Sequence, residues 1–312
     1  MGMRAIIDAL KANGTYGVAQ CLFITIAFVG GLYIWPPSPH PRDSPHTIKR
    51  RFLSLAMTLA MCWVPTYVCI RDEHSRGSRA ANLAGTFHVL GLGRPDADAI
   101  DAVVDAVLSV ACVMYLTAAL FLGPLTHLAL DGKLVSTFAD AFRIDTVLKL
   151  RNYVVAPVSE EFAFRACMAP LLILCGRWSA PAARIFTPMR ATWTCPVFFG
   201  LAHLHHFGEA CARFGVLVAV VSVVAQFTYT VVFGWFAAFT LLRTGSIAGA
   251  MASHAFCNVV GFPDVEGAVA HERKAVVLAA YACGIALFTA GLWRVTDPDL
   301  HHASLWEEWS AL

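Results

Sequence analysis

Residues 152–176 read NYVVAPVSEEFAFRACMAPLLILCG, and a contradiction inside them decides the fold. The stretch is apolar and long enough to cross ~30 Å of hydrocarbon, yet it holds Glu160, Glu161 and Arg165. A charge facing lipid at mid-membrane costs about 2.5–3.5 kcal/mol, so three would cost roughly 8–10 kcal/mol. That is comparable to the ~5–15 kcal/mol stability of a whole domain. The three charges must therefore face a polar interior that other helices help to build.

The rest of the chain supplies those helices. Of 312 residues, 58% are hydrophobic and only 14% charged, against about 25% charged in a soluble domain. Mean hydropathy is +0.62. Apolar runs recur near residues 16–35, 52–70, 102–122, 153–175, 191–207, 215–242, 246–262 and 275–293. Lipid admits only helices or closed barrels, so these runs predict an all-α polytopic membrane protein. It is a bundle of about eight transmembrane helices around a polar intramembrane cavity. No soluble insertion or internal repeat interrupts residues 1–312, which read as a single membrane-embedded domain. The net charge of +2 offers no footprint for nucleic acid. Ten cysteines without a C-x-x-C pair read as small hydrophobes rather than a disulfide framework or zinc knuckle. The Pro-rich loop 36–51 ends in Lys49-Arg50-Arg51, read as a solvated flank, and basic residues are spread too evenly to orient the bundle.

Two local patterns refine the architecture. In 134–148, Leu134, Phe138 and Phe142 recur at i, i+4, i+8 with Asp140, Arg143 and Asp145 between them, which predicts a helix lying in the interface. Gly245, Gly249 and Ser253 put small residues at helical spacing, which predicts a central, closely packed helix.

The polar residues inside the spans are the candidate chemistry. Glu161 and Arg165 stand at i, i+4 in the favourable acid-first order. Glu160 lies about 100° round the helix without that partner. An unpartnered buried carboxylate holds its proton more tightly, which suits a general acid or base. CPVFFGLAHLHHF (195–207) places His203 one turn after Phe199, while His205 and His206 read as rings reaching for headgroups. GAMASHAFCNVVGF (249–262) puts His254 and Asn258 one turn apart. Gln226, Thr228 and Tyr229 read as helix glue or cavity lining. One carboxylate, one imidazole and a His/Asn donor pair on three helices point to hydrolysis. Glu160 with His203 activates water, and His254 with Asn258 steadies the oxyanion. Cys167 has no base placed beside it, which disfavours a thiol nucleophile. A zinc site on Glu160, His203 and His254 is conceivable, but no H-E-x-x-H occurs, so no metal and no cofactor are expected.

EEFAFR (160–165) fits E-E-x-x-x-R, FGLAH (199–203) fits F-x-x-x-H, and HAFCN (254–258) fits H-x-x-x-N. Three such motifs in this order, within a core of residues 150–265, resemble the type II CAAX prenyl endopeptidases, the Ras-converting family. The resemblance implies a metal-independent glutamate protease of the endoplasmic reticulum membrane. It would remove the aaX tripeptide from prenylated CaaX proteins such as Ras- and Rho-type small GTPases. It assigns water activation to Glu160 and His203, the oxyanion hole to His254 and Asn258, and a supporting ion pair to Glu161 and Arg165, with Phe199 opening the second motif. Two other readings stay open. One is a superfamily protease with a non-prenylated substrate. The other is a transporter or scaffold whose buried charges serve ions or packing.

Overall fold

The computed structural model describes residues 3–36, 39–73, 78–176, 186–302 and 306–307. Each expected apolar run is helical over most of its length, and the described residues contain no strand. In chain order the helices are α1 (Met3–Ala12), α2 (Tyr16–Gly31), α3 (Pro45–Cys62), α4 (Val64–Glu73), α5 (Arg79–Val89), α6 (Ala99–Leu120), α7 (Leu122–Leu130) and α8 (Leu134–Phe142). They continue as α9 (147–176), α10 (Pro188–Ala202), α11 (Phe207–Phe214), α12 (Val216–Thr244), α13 (Ile247–Val260), α14 (Val265–Ala270), α15 (Lys274–Val295) and α16 (Pro298–His301). The chain is an all-α polytopic membrane protein.

The eight runs are not eight equivalent spans. Among the described residues, four helical stretches are long and apolar enough to cross a membrane alone: Pro45–Asp72, α6, α12 and α15. A fifth exists only if α1 and α2 count together across a 115° bend. α10 and α13, with 15 and 14 residues, rise only about 21–23 Å at 1.5 Å per residue, short of the hydrocarbon thickness.

Local sequence explains where these helices start and bend. Asp98 caps α6 by accepting from the backbone N–H of Ile100 and Asp101, Thr187 caps α10 ahead of Pro188, and Ser246 caps α13 through Ala248 N–H. In α9 the backbone widens into π-helix at Arg151–Val155 and at Phe162–Cys167. Pro157 and Pro170 explain both: a proline donates no N–H and crowds the carbonyl four residues earlier, here Tyr153 and Ala166, inside the widened turns.

α9 is the centre of the bundle. Every residue from Ala163 to Gly176 is buried, packed against α2, α4 and α10. Gly17 of α2 comes so close that a Cβ there would lie 3.0 Å from Cys175 Cβ. The ten cysteines are free thiols.

Two expectations need correction. The interfacial helix stops at Phe142 rather than 148, because Arg143 turns out of the helix (ψ 83°). Its Val135 and Phe142 are exposed, while Phe138 lies against Phe256. Gly245 is not on the small face of α13; it ends α12 in the left-handed conformation (φ 62°), which glycine adopts without strain. Gly249 and Ser253 do form that face. A Cβ at Gly249 would meet Val113 Cγ2 at 2.6 Å, and Ser253 Oγ sits 2.8 Å from Thr117 Oγ1, which locks α13 onto α6.

Candidate functional site

α9, α10, α12 and α13 converge on one polar cluster in an apolar frame. Glu161 and Arg165 are both fully buried, with Arg165 Nη1 donating to Glu161 Oε1 at 3.1 Å. The same oxygen accepts from His254 Nδ1 at 2.6 Å. A carboxylate only accepts, so the proton sits on Nδ1 and the His254 tautomer is fixed. His254 Nε2 faces Glu160 Oε2 at 3.8 Å. Glu160 is therefore not the partnerless carboxylate that helix spacing suggested, because the imidazole of α13 stands between the two glutamates. The two differ in access: the Glu160 side chain is 23% exposed and that of Glu161 not at all.

Aromatic rings wall the cluster. The Arg165 guanidinium lies 4.0 Å over the Phe199 ring and 5.7 Å from that of Phe233. That stacking stabilises a desolvated cation where Arg165 Nε and Nη2 find no protein hydrogen-bond partner. The Phe199 ring also meets the rings of His203 at 4.7 Å and His254 at 6.4 Å. His203 Nδ1 lies 2.8 Å from the Phe199 carbonyl. A carbonyl cannot donate, so Nδ1 carries the proton and Nε2 keeps its lone pair. Among the described residues no direct hydrogen bond joins His203 to Glu160; Phe199 is what they share, through His254.

Asn258 Nδ2 donates to the Asn152 carbonyl at 2.8 Å. That bond orients the amide and leaves its second N–H available. His205 and His206 lie at the rim, stacked at 3.9 Å, with His206 Nδ1 accepting from Arg42. Thr228 bonds back to the Val224 carbonyl one turn earlier in α12, and Tyr229 lies against Phe262. Cys167 is fully buried with its sulfur 3.5 Å from that of Cys62.

Sequence reading missed three contributors. Phe233, 5.1 Å from the His254 ring, looks like any other apolar residue of α12. Gly234 makes room for the cluster: a Cβ there would lie 2.8 Å from Arg165 Nη2 and 2.5 Å from Pro196 Cβ. Asn152 supplies a backbone carbonyl, which no side-chain pattern announces.

Elsewhere, a cavity of about 250 Å³ lies at the other, N-terminal end of α13, between Gly91–Arg94 and Thr244–Ala248. A second His/Asp group, His127, Asp131 and His271, holds its ligand atoms within 4.8 Å. There, His271 Nδ1 already accepts from Arg273 N–H, which puts the ring proton on Nε2 facing Asp131, and Lys133 takes the other Asp131 oxygen. This arrangement ties α7 to the turn before α15.

Comparison with known proteins gives the family. Residues 143–260 match the family model described as Type II CAAX prenyl endopeptidase Rce1-like. The chain is 36% identical over 296 residues to the human CAAX prenyl protease 2, covering 91% of this chain and 82% of that protein. The family is settled by that match. This chain belongs to the type II CAAX prenyl endopeptidases. The rat CAAX prenyl protease 2 is 32% identical over 91% of this chain and 81% of its own length. The Arabidopsis thaliana protein of that name is 39% identical over 156 residues, 49% of this chain and 46% of that protein. No solved structure matches significantly. The three motifs 160–165, 199–203 and 254–258 all fall within the matched region.

Proposed function

We propose that this chain is an intramembrane endopeptidase of the endoplasmic reticulum that cuts the aaX tripeptide from prenylated CaaX proteins, Ras- and Rho-type small GTPases among them. The observation that carries the reading is the pair of glutamates bridged by His254, one sealed and one open, in a chain over a third identical to a CAAX prenyl protease.

Each group has a role that its surroundings support. Glu160, partly open, accepts a proton from the attacking water, and the His203 Nε2 lone pair orients that water or shares the proton. The water oxygen bonds to the carbonyl carbon between the prenylated cysteine and the first aliphatic residue, and the carbonyl oxygen becomes an oxyanion. The free N–H of Asn258 and an Nε2–H on His254 donate to it. His254 donates from both nitrogens only as an imidazolium, whose charge Glu161 and Glu160 balance, while Arg165 neutralises the rest of Glu161. The C–N bond then breaks, and the proton taken from water goes to the departing amine. Products are a prenylcysteine carboxylate and a free tripeptide. The residues complete this cycle without a metal.

The test is cleavage of a farnesylated CaaX peptide by the purified, detergent-solubilised chain, beside the unprenylated peptide and a Glu160→Ala variant. Tripeptide release from the prenylated peptide alone, lost in the variant, is expected and should persist in chelator. Equal cleavage of the unprenylated peptide would give the chain a different substrate. No cleavage by folded protein would remove the enzymatic reading.

A further inference from the structure

The mechanism leaves the far end of the substrate unheld. An aaX tripeptide ends in a free carboxylate, which extended chain places ~10 Å beyond the scissile bond at 3.3–3.6 Å per residue. On the far side of His206 from His203 stands a cation. Arg42 Nη1 donates to His206 Nδ1 at 3.3 Å, and the His206 ring lies 6.3 Å from that of His203; these two contacts keep Arg42 within the reach of a tripeptide bound at His203.

The surroundings of Arg42 leave it free for a stronger anion. Its side chain is 46% exposed, and its carboxylate partner, Glu209 Oε2, is 3.4 Å away and 66% exposed. Such a long, solvated pair is weak, and a carboxylate that takes the guanidinium with two parallel bonds displaces it. The neighbouring residue keeps Arg42 in place. Asp43 accepts from Arg151 Nη1 at 2.6 Å, Arg151 Nε donates to Asn152 Oδ1, and the Asn152 carbonyl holds Asn258. The loop before α3, which carries Arg42, is thereby tied on one side to the Asn258 anchor and on the other to the His203 turn. Arg51 of α3 lies in the fields of Arg42 and Arg151 and, with the opposite sign, of Asp43.

Resting on the endopeptidase reading, we propose that Arg42 binds the C-terminal carboxylate of the aaX segment, so that the site selects by the distance from scissile bond to chain end. This makes Arg42 a substrate-binding residue that selects a free C-terminus three residues from the cut.

The experiment compares a farnesylated CaaX peptide with its C-terminal amide on the full-length solubilised chain, using wild type, Arg42→Gln, Arg42→Lys and Arg51→Gln. Wild type should favour the acid. Arg42→Gln should raise KM for the acid about tenfold, the loss of one charge-assisted contact, with kcat within about twofold. Acid-over-amide preference should collapse with it. Arg42→Lys should recover part of the preference, and Arg51→Gln should lower it less. A preference that survives Arg42→Gln would overturn the assignment, as would wild type that cleaves acid and amide equally well. Equal losses on both peptides would mean that Arg42 serves a lipid phosphate or the loop itself, and would also overturn it. If wild type cleaves neither peptide, the endopeptidase reading fails first and this inference falls with it.

Discussion

The outer helices and α9 meet opposite surroundings with opposite sequences. In α6, α12 and α15 only 28%, 22% and 17% of the apolar window is buried within the protein, and valines such as Val103, Val104 and Val107 point outward. In α9 every residue from Ala163 to Gly176 is buried, and the same helix carries the sealed Glu161–Arg165 pair. Outer helices need only be apolar, so many sequences serve. α9 must satisfy charges in a medium that offers no water, so each partner is specified by position. Substitutions should therefore act very differently on the two.

The largest effects should come from the groups around His254. Glu160→Ala, His203→Ala and His254→Ala each remove a proton-handling or oxyanion-holding group, worth about 10²–10⁴ in rate. Cleavage should be lost while the chain still inserts and folds, as read by turnover of prenylated peptide and by a monodisperse detergent-solubilised peak. Wild-type turnover in any one of them would remove that residue from the chemistry. Asn258→Asp comes next. It replaces an N–H donor by a charge facing the oxyanion, and it sets a carboxylate against the Asn152 carbonyl that Asn258 now satisfies. Turnover should drop about 10²-fold with a smaller change in KM, and an unchanged kcat would end the donor role.

The same contrast explains what the sequence made legible. Outer helices announce themselves through hydropathy, and the Glu161–Arg165 pair follows from i, i+4 spacing, because both signals are local. The position of His254 between Glu160 and Glu161 is not local: it depends on α13 docking against α9 across 93 residues of chain. Glu160 was read as alone because helix geometry shows only partners on its own helix. Gly234 carries no signal at all, since its role is the space it leaves for Arg165 Nη2.

Stability should separate the regions as sharply as activity does. Arg165→Ala leaves Glu161 fully buried with only His254 beside it, and breaking a buried pair costs about 3–5 kcal/mol. The yield of folded protein and its Tm in detergent should both fall. Val107, 61% exposed on α6, should accept Val107→Leu within about 0.5 kcal/mol, as surface changes away from special features do. Equal losses from the two substitutions would erase the distinction between α9 and the outer helices.

The smallest effect belongs to the loop that borders the site without being buried in it. The Arg151 hydrogen bond holds the Asp43 carboxyl below its ordinary value of 3.8, with Arg42 and Arg51 adding to the same field. A carboxylate whose folded-state pKa is depressed contributes stability above its unfolded value and loses it as pH falls through the folded one. The contribution is therefore whole from pH 8 to pH 5 and disappears only below about 3.8. Because the Asp43 side chain is 60% exposed, solvent screening limits it to about 1 kcal/mol or less. The Tm difference between wild type and Asp43→Asn should accordingly be small, flat through neutral pH, and gone in acid. A difference that grows on acidification would mean that Asp43 opposes the fold, and the tie from Arg151 to the loop that presents Arg42 would then have to be abandoned.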